Sequence, residues 1–201
     1  MKNDELKTED HPELLFLRAL IDNVDSAILS ILFRRAQLVN FIIEYKKLHK
    51  IDLSRSKLRE NAAKETADFA AMLSLRKVFV QKILNHLFEA NDHLYDSKIS
   101  AGGEQFLVFN ESMLQQFNGT LKSLDMSFCI LLSERMQLVN QVGKYKKQHN
   151  ILPLDQARWE AVLKSKTEFA ESLGIDADAV RKLYSMIHEE ALIIERQYQE
   201  K

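Results

Sequence analysis

"QLVNFIIEYKKLHK", residues 37–50, returns one hundred residues later as "QLVNQVGKYKKQHN", residues 137–150, with eight of the fourteen positions identical. The offset extends outward from this stretch. Asp25 matches Asp125, Leu32 matches Leu132, and Arg35 matches Arg135. Arg59 matches Arg158, so the first copy carries one extra residue in an intervening loop. Self-similarity at a fixed offset marks a duplicated structural unit, here of roughly 90 residues.

The apolar spacing within each copy is helical. Leu17, Ile21, Val24, Ile28, Ile31, Leu38 and Ile42 recur at steps of three and four, as do Phe117, Leu121, Leu124, Phe128, Leu131, Leu138 and Val142. The first helix of each copy is therefore long and runs to about His49 and His149. Asn118-Gly119 predicts a kink in the second of these, or a fresh start near Thr120. Two shorter helices follow in each copy, near 54–72 and 75–95, and near 154–172 and 177–199. Pro153 and Asp155 suit a helix start, and Asp176 suits an N-cap. "DSKISAGGE", residues 96–104, reads as the linker between a first unit, 1–98, and a second, 99–201. The expected fold is all-α: two tandem three-helix units forming an intrachain pseudo-dimer, with the long helices paired. Five glycines and two prolines in 201 residues leave little material for a turn-rich β fold.

A formal charge of −1 provides no global field to recruit nucleic acid or an acidic membrane, and neither is expected as a partner. No apolar run approaches the ~18 residues of a membrane span. The opening "MKNDELKTEDHPE" is polar and unlike a signal peptide. Cys129 has no second cysteine to pair with, which suits a reducing, cytoplasmic setting. It lies beside the apolar seam and reads as a small core residue. His86, Glu89 and His93 have a loose metal-ligand spacing, but a packed or solvated helix face accounts for them better. His188-Glu189-Glu190 lacks the second histidine of a zinc-protease motif. No metal and no cofactor are expected.

The seam breaks at the same place in both copies. Where the pattern demands an apolar residue, positions 35 and 135 are arginine. A guanidinium in that stripe is costly unless it meets an anion. Lys46 and Lys146 follow eleven residues later, about three turns on and nearly on the same face, ~16 Å along the axis. Such a pair can clamp a small dicarboxylate. The alternative is an internal ion pair, with Glu134 or with a carboxylate on another helix. Arg18 precedes Arg35 by 17 residues, about 25 Å of helix, and cannot serve the same pocket. In an antiparallel pairing of the long helices it reaches the pocket of the other copy.

The stretch "LRALIDNVDSAILSILFRRAQLVNFIIEYKK" resembles the first helix of the all-helical chorismate mutases: an early Leu-Arg, Ile-Asp-x-x-Asp, a seam arginine, and a lysine eleven residues on. "LDMSFCILLSERMQLVNQVGKYKKQHN", "PLDQARWEAVL" and "LGIDADAVRKLYSMIHEEALIIERQ" resemble the same family from end to end. The resemblance implies a cofactor-free Claisen rearrangement of chorismate to prephenate, a step in aromatic amino acid biosynthesis from the shikimate pathway. It implies a main site in the second unit with Arg135, Lys146, Asp155, Arg158 and Glu195, completed by Arg18 from the first. It also marks two departures. Trp159 stands where the family has a glutamate that holds the substrate hydroxyl, and Ala191 replaces a small polar residue. A second site would use Arg35, Lys46, Arg59 and Glu60. Its cross-unit cation falls at Asn118, its Asp-x-x-Arg aspartate at Ser56, and its third-helix positions at His86 and Ala90, so it reads as degenerate. By this resemblance the chain is a monomeric pseudo-dimer or a homodimer. Isochorismate pyruvate lyase, or a non-catalytic binder on the same fold, are the alternatives.

Overall fold

The computed structural model describes residues 11–51, 56–96 and 111–199; the side chains of 56–60, 91–96 and 111 lie outside that description. The expected linker after Asp96 and the boundary between 98 and 99 fall outside the described residues. Every element among those described is helical: α1 (Pro12–Leu48), α2 (Ser56–Met72), α3 (Lys77–Asp96), α4 (Glu111–Gln148), α5 (Gln156–Ser172) and α6 (Ala177–Gln199). None of the described helices is long and apolar enough to cross a membrane.

α1 and α4, of 37 and 38 residues, form the axis of the molecule and run about 55 Å each. Their pairing is antiparallel, fixed by two buried ion pairs: Arg35 Nε donates to Asp125 Oδ1, and Arg135 Nε donates to Asp25 Oδ1, both at 2.7 Å. Each arginine lies ten residues beyond the aspartate of its own helix. An antiparallel alignment that makes one pair therefore makes the other. A slip of a single turn would leave four charges buried without partners, which costs several kcal/mol per charge.

The remaining helices interlock the two halves. α2 packs on α4, α3 on α6 and α5 on α1, besides their contacts within each half. One core results, joining Ile28, Leu29, Val80, Ile83 and Leu84 to Phe128, Leu132, Leu183, Tyr184 and Ile187. Polar contacts tie the layers. Ser133 Oγ donates to the Leu73 carbonyl at 2.9 Å, and Tyr184 donates to the Asp25 carbonyl at 3.1 Å. Arg76 forks onto both carboxylate oxygens of buried Glu190, latching the α2–α3 turn to α6. Cys129 is fully buried beside Asp125, and burial above all pushes its thiol up to about 12, so it behaves as core.

Both long helices end in the same way. Lys50 and Asn150 take left-handed φ of 53° and 55°, and the next amides, of Ile51 and Ile151, return to the carbonyls of Lys46 and Lys146 at 2.9 and 2.8 Å. This closure reverses the chain at equivalent points in the two halves. The N-caps at Asp155 and Asp176 form as expected: Asp155 Oδ1 accepts from the Arg158 amide, and Asp176 Oδ1 from those of Asp178 and Ala179. The restart at Asn118-Gly119 does not occur. α4 begins at Glu111 and passes through both residues. Packing outweighs the ~1 kcal/mol cost of a helical glycine: Phe117 sits edge-on to Phe41 at 4.8 Å and to Tyr45 at 5.9 Å.

Candidate active site

A cavity of about 100 Å³ opens where α1, α4, α5 and α6 meet, lined by residues of both halves. Arg135 forms part of its wall. Asp25 engages only Nε; Nη1 is buried with no partner, and Asp25 Oδ2 is likewise unpartnered. The internal carboxylate foreseen as an alternative is thus present, on α1, while Glu134 is exposed. It consumes one edge of the guanidinium and leaves a donor unmet. An orphaned buried donor costs about 1–3 kcal/mol and calls for a ligand or a function.

Lys146 is buried three turns along α4 and donates to Glu195 Oε2 at 2.7 Å and to the Pro153 carbonyl. Burial raises the Glu195 carboxyl above its ordinary range, and the attraction of Lys146, Arg18 and Arg135 only partly offsets this. Desolvation therefore wins the contest that the sequence left open. Gly143 makes the approach of α6 possible. A Cβ there would stand 2.8 Å from Tyr198 Cδ2 and 3.3 Å from Glu195 Cα. The first half carries Ile43 at the equivalent position.

Arg18 crosses from the first half into this cavity. Its Nη2 donates to Asp155 Oδ2 at 2.8 Å, at the head of α5. Burial pushes the Asp155 carboxyl up, but the Arg158 amide and the Arg18 guanidinium outweigh it and hold the group below its usual range. Arg158 lines the wall with its Nη2 on Asp22 Oδ2 at 2.5 Å. Trp159 lies flat on His188, with ring centres 4.0 Å apart and planes within 5°. Ala191 is buried in the same wall. The lining holds four cations, Arg18, Arg135, Lys146 and Arg158, against three carboxylates, Asp25, Asp155 and Glu195. Asp22, just outside the lining, pairs with Arg158, so each of the four cations has one carboxylate, and protonation of Glu195 leaves one positive charge in excess.

All eight residues expected in the main site, Arg18, Arg135, Lys146, Asp155, Arg158, Trp159, Ala191 and Glu195, line this one cavity. In the first half, Arg35 is held by Asp125, its Nη2 is buried without a partner, and its guanidinium carbon lies 5.7 Å from the Phe88 ring centre. Lys46 is half-buried and Asn118 exposed. The side chains of Arg59 and Glu60 lie outside the described residues. Four contributors escaped the sequence reading: Asp22, Asp25, Gly143 and His188. Two had a visible signal. Asp25 repeats as Asp125 on the apolar side of its helix, and Gly143 interrupts a helix where its counterpart is isoleucine.

Fold and site together define a duplicated all-helical protein with a cation-rich internal cavity shared by its halves. The chain belongs to the chorismate mutase type II family, which matches it twice, over residues 17–94 and 119–196. It is similar to the T-protein of Haemophilus influenzae, with 32% identity over 85 residues that make up 42% of this chain and 22% of that protein. The chain thus spans less than a quarter of that relative's length. No solved structure matches it.

Proposed function

We propose that this protein rearranges chorismate to prephenate in the cavity built from its second half and Arg18. The supporting observation is that Arg135, Lys146 and Arg158 of the second half and Arg18 of the first line one cavity, with the Arg135 Nη1 buried and without a partner. Chorismate is a dianion whose ether C–O bond breaks as a C–C bond forms within the same molecule. No proton or electron is exchanged with the protein. The protein's contribution is to hold the enolpyruvyl arm over the ring and to stabilise charge growing on the ether oxygen.

In this reading, Arg135 and Arg18 take the two carboxylates, with bidentate geometry open to each. Arg18 releases Asp155 to do so, a modest loss for a partly exposed pair. Lys146 and Glu195 flank the ether oxygen, and Glu195 donates to it when protonated. Arg158, anchored by Asp22, adds to the positive potential. The first-half pocket is the degenerate copy, and the units 1–98 and 99–201 act as a fused dimer within one chain.

Trp159 favours a second reading, isochorismate pyruvate lyase, because an indole cannot accept a hydrogen bond from a ring hydroxyl. Product analysis separates the two. Prephenate from chorismate supports the mutase; salicylate with pyruvate from isochorismate supports the lyase. Thermal stabilisation by a bicyclic transition-state mimic without turnover of either supports a binding role.

A further inference from the structure

The cavity wall includes one polar side chain that the preceding mechanism does not use. His188 lies on α6, half-buried, with its ring stacked face to face on Trp159. Stacking fixes the plane of the imidazole and directs its two nitrogens outward along the ring edge, away from the indole face. Among the described residues neither nitrogen has a protein hydrogen-bond partner, and neither is sealed from solvent.

The other polar groups of the wall are committed. Arg18, Arg158 and Lys146 are donors already paired with carboxylates. Glu195 accepts from Lys146, and the free oxygen of Asp25 is closed off beside Arg135; Asp155, which keeps its capping bond to the Arg158 amide when Arg18 turns to substrate, accepts but cannot donate. A chorismate-like ring carries a hydroxyl, which both donates and accepts. The anion-binding arginines cannot accept from it. A neutral imidazole offers one donor and one acceptor. We propose that His188 is the hydrogen-bond partner of the substrate's ring hydroxyl, oriented by its stack on Trp159, so that the pair together does what a carboxylate at position 159 would otherwise do. This specificity role rests on the reading of the cavity as a chorismate site.

The surroundings keep the imidazole in the state this requires. Burial first, then the charges of Arg135 and Lys146 on α4, hold its pKa below the ordinary range against the opposing pull of Glu189. Arg18 and Asp25 of α1, Asp155 at the head of α5, Arg158 of α5, and Glu195 of α6 complete the charged groups around it. Trp159 is the protein's single tryptophan, so its fluorescence reports on the stack and on anything that enters the cavity beside it.

The test compares wild type, His188→Leu and His188→Asn on chorismate and on an analogue with hydrogen in place of the ring hydroxyl. Turnover is read where the compound reacts, and binding by Trp159 fluorescence throughout. One neutral hydrogen bond predicts about a fivefold loss for His188→Leu on chorismate, none on the deoxy analogue, and partial recovery in His188→Asn. Equal losses on both compounds, or no loss on either, overturn the proposal, since they reduce His188 to a packing residue. A wild type that neither turns over nor binds chorismate overturns the underlying reading instead.

Discussion

Arg135 and Asp25 stand on different helices in different halves of the molecule, and the guanidinium Nε meets the carboxylate Oδ1 at 2.7 Å with both groups buried. The same bond recurs between Arg35 and Asp125. Duplication explains the recurrence: each half supplies one acid and one base to an interface that is symmetric by construction. The arginine that pins the register in the second half is also the one with an unmet Nη1 in the cavity wall. In the proposed reading, structural and ligand-binding roles fall on different edges of one side chain.

Those two roles separate by substitution. Arg135→Met strands the Asp25 carboxylate and is expected to cost about 3–5 kcal/mol in urea denaturation. Adding Asp25→Leu removes the stranded charge and restores most of that stability. Activity stays lost in the double variant. Recovered turnover there would show that Arg135 acts only as a structural partner.

In the proposed mechanism, Glu195 sets the pH dependence. Its carboxyl is raised by burial, so the protonated, donating form persists further toward neutrality than an ordinary glutamate allows. Activity therefore falls as pH rises through that raised value. Binding of a dianion pushes it higher still. Glu195→Gln donates at every pH, and a flattened kcat profile is the expected result. An unchanged profile removes Glu195 from this role.

Gly143 is tested by adding one carbon. On an isolated helix Gly→Ala gains about 1 kcal/mol. Here the new Cβ meets the base of the Tyr198 ring and the backbone at Glu195, so α6 must move outward. Gly143→Ala is expected to lower Tm despite its better propensity. It should also cut kcat by about tenfold, because a displacement near 1 Å at Glu195 disturbs the alignment that orientation effects depend on. A higher Tm with full activity would mean that the approach of α6 is loose.

Asp155 caps α5 and holds Arg18 at rest. Asp155→Asn keeps the capping oxygen, whereas Asp155→Ala gives up about 1 kcal/mol of helix stability. Because the carboxyl sits below its usual range, its ionised form stabilises the fold above the unfolded pKa of ~3.9 and that contribution is lost as pH falls. Asp155→Asn is therefore expected to weaken the acid dependence of Tm and, by freeing Arg18, to lower KM. Acid sensitivity equal to wild type would place the titrating group elsewhere.

The architecture was legible because helical period and repetition are both local signals. The four shorter helices and the ends of the two long ones fall within about two residues of where they were expected, while the long helices begin earlier than their apolar seams, at Pro12 and Glu111. The seam arginines announced a buried charge, and the separation of Arg18 from Arg35 required it to serve the other half. What the sequence hid was partnership across the interface. Asp22 looks like an ordinary polar position, and the repeat of Asp25 at Asp125 names no partner, until α4 and α5 are laid against α1. The Asn118-Gly119 restart failed because propensity weighs less than the packing of Phe117 on Phe41 and Tyr45. His188 carried no motif of its own, and only the stack on Trp159 and the cavity beside it give it a place. The direction of the Glu195 shift depended on how far burial outweighs three nearby cations, which residue spacing does not encode.

The central claim is that a guanidinium lent by one half and another embedded in the opposite half close together on a single small dianion. Steady-state conversion of chorismate by wild type, Arg18→Ala and Arg135→Ala, with prephenate identified directly, tests it most simply. Turnover by wild type and a loss of at least about a hundredfold in kcat/KM for each variant are predicted, the loss expected when a preorganised charged contact to the reacting molecule is removed. Either variant rearranging chorismate as fast as wild type would contradict it.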